Sequence, residues 1–157
     1  MKPSDFILGY IISLMPIILI QDILFFTVSW LLGLTLTVNI IFTILISIVV
    51  SILFIALGIL MGSLVSEKAT GGLGSVIVQL VCFTSGMYFP KESVGKGFSV
   101  ICEILPFESC LNIIKGILNN QLEIISLQNI IIFLIYTIFI LVLAIIVFKK
   151  KMISDNK

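Results

Sequence analysis

The chain has 157 residues, of which 60% are hydrophobic and only 11% are charged, and its mean hydropathy is +1.32. A soluble domain carries about 25% charged residues, so this composition excludes a globular cytosolic protein, a disordered chain and a disulfide framework. Nine basic against eight acidic residues give a net charge of +1, which provides no basic surface for nucleic acid. We therefore predict an all-α integral membrane protein.

Four segments are apolar enough for membrane-spanning helices, each of which needs about 20 residues. We place these spans at residues 6–34, 38–65, 69–90 and 127–148. The first segment shows no small-residue cleavage site, so we expect it to be a retained span and not a signal peptide. The sequence thus predicts one transmembrane domain over residues 1–157, folded as a polytopic helix bundle.

The first span contains a polar pair, Gln21 and Asp22. A carboxylate near the middle of a membrane costs about 2.5–3.5 kcal/mol on insertion scales. One interpretation is that the pair lines a substrate path or makes an interhelical hydrogen bond. The simpler one is that the long helix shifts Asp22 to the outer interface, where water solvates it.

The second span ends with two glycines at a spacing of four, Gly58 and Gly62. This spacing permits close contact between helices, and we favour packing within the chain over a dimer interface. The short loop that follows contains Glu67 and Lys68. This pair is either a contact for a cytoplasmic partner or simply a solvated turn.

Residues 91–126 are too polar to span a membrane and too apolar for a free loop. Pro106 divides this segment, and polar residues recur at helical spacing after it: Glu108, Asn112, Lys115 and Asn119. We predict two short amphipathic helices over about 97–120, lying in the outer interface or dipping back into the bilayer. The alternative is an ordinary loop packed on the bundle.

Cys102 and Cys110 flank Pro106. Either they form a disulfide or each fills an apolar helix position as a small hydrophobic residue. The chain contains no histidine, and the cysteines come with no second cluster of ligands, so we expect no metal site and no cofactor.

The lysines set the expected orientation. With both termini cytoplasmic, six lysines lie inside and three outside, in accord with the positive-inside rule. The inner ones are Lys2, Lys68, Lys149, Lys150, Lys151 and Lys157, and the outer ones are Lys91, Lys96 and Lys115. We expect a multi-pass protein of the cell membrane.

Three stretches together resemble a known family. The third span ends in Ser85-Gly86-Met87-Tyr88-Phe89-Pro90, the Leu105-Pro106-Phe107 segment follows, and the glycine-bearing end of the second span precedes a short inner loop. In this order they resemble the membrane-spanning subunit of ABC type-2 exporters. The residues that carry the resemblance are Gly58, Gly62, Ser85, Gly86, Phe89, Pro90 and Pro106.

The resemblance implies a permease component of an ATP-driven exporter and no enzymatic activity of its own. Family members usually have six spans, and this chain corresponds to the last four, so it is a split half, a truncated copy or a unit that pairs with a companion. The chain has no phosphate-binding loop, because Gly71, Gly72 and Gly74 lack the Lys-Ser/Thr that completes one. The implied partners are a separate ABC ATPase, membrane lipid, and either a second copy or another permease subunit.

Two other functions fit the same composition. The chain could be a non-transporting membrane scaffold or immunity-type protein, or an inactive truncated permease. An intramembrane enzyme fits poorly, because Asp22 has no second acidic group at membrane depth with which to form a catalytic pair.

Overall fold

A computed structural model describes residues 3–89 and 93–154. Helices dominate this part of the chain, and no strand occurs in it. The elements are α1 Pro3–Leu31, α2 Val38–Leu64, α3 Glu67–Thr84, α4 Lys96–Ile104, α5 Pro106–Leu118, a 3₁₀ helix Leu122–Ile124 and α6 Leu127–Ser154. The predicted all-α polytopic bundle is confirmed.

Three helices, α1, α2 and α6, are long and apolar enough to cross a membrane. They contain 29, 27 and 28 residues, or about 40 Å each at 1.5 Å per residue. Their sequences are rich in isoleucine and leucine with few breaks, and in hydrocarbon a helix satisfies every backbone polar group internally. Helix α1 continues through Pro16 without interruption.

Helix α3 is shorter than the predicted third span. It has 18 residues and ends at Thr84, whereas hydropathy places the end of the span at Pro90, which lies outside the described residues. The reason is local: Gly86 has a φ of +74°, which ends the helix while the sequence continues apolar through Phe89. At about 27 Å, α3 is a short apolar helix about two-thirds as long as α1, α2 and α6.

The core lies between α2 and α6. Val50, Leu53 and Ala56 of α2 are buried with Phe133 and Ile140 of α6. A second cluster joins the first turns of α1 to the end of α6 through Ile7, Ile11 and Ala144. Alanine at the contact points leaves room for the helices to approach closely.

Helices α4 and α5 form a hairpin bent by 76°. Pro106 is the first residue of α5 and is fully buried, a position at which proline costs no helical hydrogen bond. Cys110 and Ile113 of α5 pack into the α2–α6 core. The two helices predicted on either side of Pro106 are therefore present, and the second is attached to the side of the bundle.

Candidate functional site

The intramembrane carboxylate is bonded to a neighbouring helix. The Ser47 hydroxyl of α2 donates a hydrogen bond to Oδ2 of Asp22 in α1. Both residues are half-buried. Asp22 lies nine residues, about 14 Å, before the end of α1. Of the interpretations open from the sequence, the structure shows the interhelical hydrogen bond.

Gln21 takes no part in this contact. Its side chain is exposed, while the adjacent Asp22 turns towards α2. Ser47 was not identified from the sequence, because a serine in a helix usually bonds a carbonyl of its own preceding turn. The Ile44 carbonyl also lies within reach of the Ser47 hydroxyl, at 2.8 Å. The hydroxyl has one proton to donate, and a hydrogen bond to the Asp22 carboxylate is stronger than one to a carbonyl.

The segment after α3 forms a tight aromatic turn. Thr84 and Ser85 are buried and donate hydrogen bonds to carbonyls of α3, at 2.6 Å and 3.1 Å. Gly86 adopts a positive φ, at which a residue with a side chain would be strained. Phe89 then folds back, its ring 6.1 Å from that of Phe83. The family-like motif therefore turns the chain, and it presents no reactive group.

A polar cleft of about 320 Å³ lies between the hairpin and the start of α6. Glu103 and Glu108 line it with Asn112 and Asn129. Ser109 bridges the two sides by a hydrogen bond to Oδ1 of Asn129, at 3.4 Å. The predicted polar stripe of α5 thus divides, with Glu108 and Asn112 half-buried at the cleft and Lys115 and Asn119 exposed.

The hairpin cysteines are two separate thiols in the described structure, and both are buried. Burial raises the pKa of the Cys110 thiol to about 12. This side chain therefore stays protonated at neutral pH and acts as a small apolar residue of the hairpin's core. Of the two alternatives for Cys102 and Cys110, apolar packing is the one observed.

Gly58 and Gly62 face an open cavity instead of a neighbouring helix. A Cβ atom built on either glycine would meet nothing within 4 Å. The two glycines were expected to pack closely within the chain, whereas in the described structure their face borders open space. The cavity has a volume of about 590 Å³ and is lined by residues of α1, α2, α3 and α6.

Lys151 lies at the edge of this cavity. Its amine donates a hydrogen bond to the Gly62 carbonyl at 3.2 Å. From the sequence, Lys151 was assigned only to the cytoplasmic lysine cluster and was not connected with the glycines. The sequence did contain a signal that could have connected them. The glycine pair and the lysine cluster each lie at the end of a predicted span, and both ends are predicted to lie on the same side of the membrane.

The short loop between α2 and α3, the predicted inner loop, lies next to the cavity. Glu67 is the first residue of α3, and Lys68, the second, is exposed. Thr70, one half-turn on, lines the cavity with Lys151. The inner-loop residues therefore lie at the same end of the bundle as the end of α6.

No group of three potential metal ligands occurs in residues 3–89 and 93–154. The chemistry that the described side chains offer is binding: an interhelical carboxylate, a polar cleft at one end and an apolar cavity with a cationic edge at the other.

The comparisons agree with a membrane component. A family model described as "ABC-2 type transporter" matches residues 1–119. No curated protein and no solved structure matches the chain significantly.

Proposed function

This chain belongs to the ABC-2 type transporter family and is a membrane component of a transporter. We propose that it is the permease subunit of an ATP-driven exporter. The match over residues 1–119 carries the proposal. The order of elements supports it: two long spans, a short inner loop, an apolar helix that ends in an aromatic turn, and a proline-split hairpin. Helix α6 lies beyond the match, yet it completes the core against α2.

The energy for transport comes from a separate ATPase. The sequence has no phosphate-binding loop, and Asp22 has a serine as its neighbour on α2 instead of a second titratable group. An ion relay through a membrane needs a chain of such groups. Coupling to ATP hydrolysis in another subunit is therefore the energy source that fits these residues.

The exposed inner loop is the proposed contact for that ATPase. Lys68 is exposed at the start of α3. The loop lies at the same end of the bundle as Lys149, Lys150 and Lys151, which the positive-inside rule assigns to the cytoplasm. An ATPase on the cytoplasmic side would therefore meet this end of the bundle.

Helix α3 supports pairing with a second permease subunit, either another copy or a companion chain. Among its described side chains only Thr84 is buried. Gln79 is exposed, between the apolar Val78 and Leu80, and an amide in hydrocarbon is costly without a partner. A second helix against α3 would provide that partner and shield the amide from lipid.

The test is co-expression with any ABC ATPase, and any second permease, that the genome encodes beside this gene. We expect the proteins to co-purify and the permease to stimulate ATP hydrolysis in nanodiscs. Lys68→Glu would place a like charge against an acidic partner surface and lower the apparent affinity about fivefold. Lys115→Glu is the matched control, because Lys115 is equally exposed but lies on the outer hairpin.

Two results would contradict the proposal. Solute uptake by the purified chain alone, driven by a proton or sodium gradient, would overturn the ATP-driven mechanism. Failure to bind any co-expressed ATPase would instead favour a non-transporting membrane scaffold or an inactive permease.

A further inference from the structure

The cavity beside Gly58 and Gly62 has no role in the transport function proposed above. It has a volume of about 590 Å³, within the range of about 300–1,000 Å³ that is typical of small-molecule sites. It opens at the end of the bundle where α1 begins and α6 ends. Its position therefore corresponds to the inner leaflet in the orientation that the lysines predict.

The walls of the cavity suit a hydrocarbon chain. Phe6 of α1 and Phe148 of α6 stack with their ring centroids 5.0 Å apart. Tyr10 extends this aromatic wall at 6.1 Å from Phe6. Opposite them, Gly58 and Gly62 leave the backbone of α2 without side chains and with open space above it. A flexible apolar chain could lie along this glycine face.

The edge of the cavity suits an anion. Lys151 lines it, and its ammonium group has three protons, of which the Gly62 carbonyl accepts one. The other two remain available to a ligand. Thr70, Ser63 and Tyr10 add hydroxyl groups to the lining, and Lys149 and Lys150 raise the local positive potential.

We propose that this cavity binds one anionic phospholipid of the inner leaflet, with an acyl chain on the Gly58–Gly62 face and the phosphate at Lys151. The charge argues for a lipid over a second copy of the chain. A twofold dimer through this face would bring two copies of the Lys149–Lys151 cluster to the same end, where they repel each other. An anionic headgroup neutralises the cluster instead. The proposal does not depend on transport.

Native mass spectrometry of the purified chain with added lipid tests the charge requirement. The probes are phosphatidylglycerol and phosphatidylcholine with identical acyl chains. We expect one phosphatidylglycerol to stay bound per chain, in preference to phosphatidylcholine. Lys151→Gln should weaken the binding of phosphatidylglycerol about fivefold, which is the effect expected for removing one lysine from an anionic membrane surface. Lys150→Gln removes the same charge outside the cavity and should have a clearly smaller effect.

A second pair of variants tests the acyl site. Gly58→Phe places a ring in the cavity, since a Cβ atom at Gly58 meets no atom within 4 Å, and it should abolish retention of phosphatidylglycerol. Val49→Phe adds a similar ring to an exposed position of the same helix and should leave retention unchanged. Gel filtration of each variant checks that it is folded.

Three outcomes would overturn the lipid site. The first is equal retention of the two lipids, and the second is an equal loss for Lys150→Gln and Lys151→Gln. The third is a change of oligomeric state in Gly58→Phe with the lipid count unaltered, which would show that the face binds another protein chain. Lys151 is exposed at the end of α6, so its variant tests the proposal even where Gly58→Phe fails to fold.

Discussion

At the scale of single residues, Asp22 shows what a sequence can and cannot reveal. A lone carboxylate in an apolar segment stands out, because its insertion into the membrane is costly. Its partner Ser47 does not stand out, since serines recur along the chain and usually bond their own helix. Only the packing of α1 against α2 brings the two side chains together.

This pair leads to a prediction about stability. Ser47→Ala removes the hydroxyl donor from the Asp22 carboxylate and should lower the free energy of unfolding by about 1–2 kcal/mol. The matched control is Ser51→Ala one turn later, because the Ser51 hydroxyl bonds the Ile48 carbonyl of its own helix at 2.6 Å. Unfolding of both variants in mixed detergent micelles would measure the difference.

An Asp22→Asn background makes the test specific. With the charge removed, Ser47→Ala should cost less than it does beside the carboxylate, because hydrogen bonds to charged groups are the stronger ones. Equal destabilisation by Ser47→Ala and Ser51→Ala would show that the interhelical bond contributes nothing to stability.

The glycines illustrate a second limit at this scale. Gly86 lies in the stretch with which the predicted third span ends, and its φ of +74° lets the chain turn there. The pair Gly58 and Gly62 was predicted to pack within the chain, and instead it faces a cavity. Glycine spacing shows only that a backbone is accessible, whereas the neighbouring helices decide what approaches it.

At the scale of elements, hydropathy located the long helices to within about three residues at each end, except that α6 continues six residues beyond the predicted 127–148 to Ser154. The predicted second span, residues 38–65, corresponds to α2 at Val38–Leu64. The third span was drawn too long, because Met87, Tyr88 and Phe89 are as apolar as a span while they form a turn. Apolar composition measures affinity for hydrocarbon and carries no signal of backbone conformation.

The hairpin shows why a stripe of polar residues is an incomplete guide. The predicted polar face of α5 is partly enclosed, since Glu108 and Asn112 line a cleft closed by α6. The residues buried most deeply on α5 include Cys110, Ile113 and Gly116. Gly116 is needed there, because a Cβ atom would lie 2.5 Å from the Ile125 side chain.

Helix α3 carries a prediction about pairing. Gln79→Leu should weaken association between permease subunits about threefold to eighteenfold, in line with about 0.6–1.7 kcal/mol for a polar contact between membrane helices. Dilution in detergent, followed by energy transfer between labelled subunits, would measure the dissociation constant. The control is Gln128→Leu, an exposed glutamine at the start of α6 and outside α3. Unchanged association of Gln79→Leu would exclude this face of α3 from the interface.

At the scale of the whole molecule, the charged ends of the bundle are organised by the fold. Thr70 near the start of α3 and Lys151 near the end of α6 line one cavity, so the inner loop and the lysine cluster lie at the same end. The polar hairpin cleft forms against the opposite end of α6, near Asn129. Among the described lysines, Lys68 and Lys149–Lys151 lie at the first of these ends, and Lys96 and Lys115 belong to the hairpin.

The last prediction concerns orientation. The end with Lys68 and Lys149–Lys151 should face the cytoplasm, because translocating the lysine cluster opposes the positive-inside rule. In a background with Cys82, Cys102 and Cys110 replaced by alanine, single cysteines at Ala69 and Asn119 report on the two ends. Both positions are exposed, and neither change alters the lysine count. A membrane-impermeant maleimide should label Asn119→Cys on intact cells and Ala69→Cys only after permeabilisation.

Adding three lysines after Asn119 should reduce or invert this pattern, which ties the orientation to charge. Labelling of Ala69→Cys but not Asn119→Cys on intact cells would show that the topology is the reverse of the predicted one. The ATPase contact would then lie at the hairpin end.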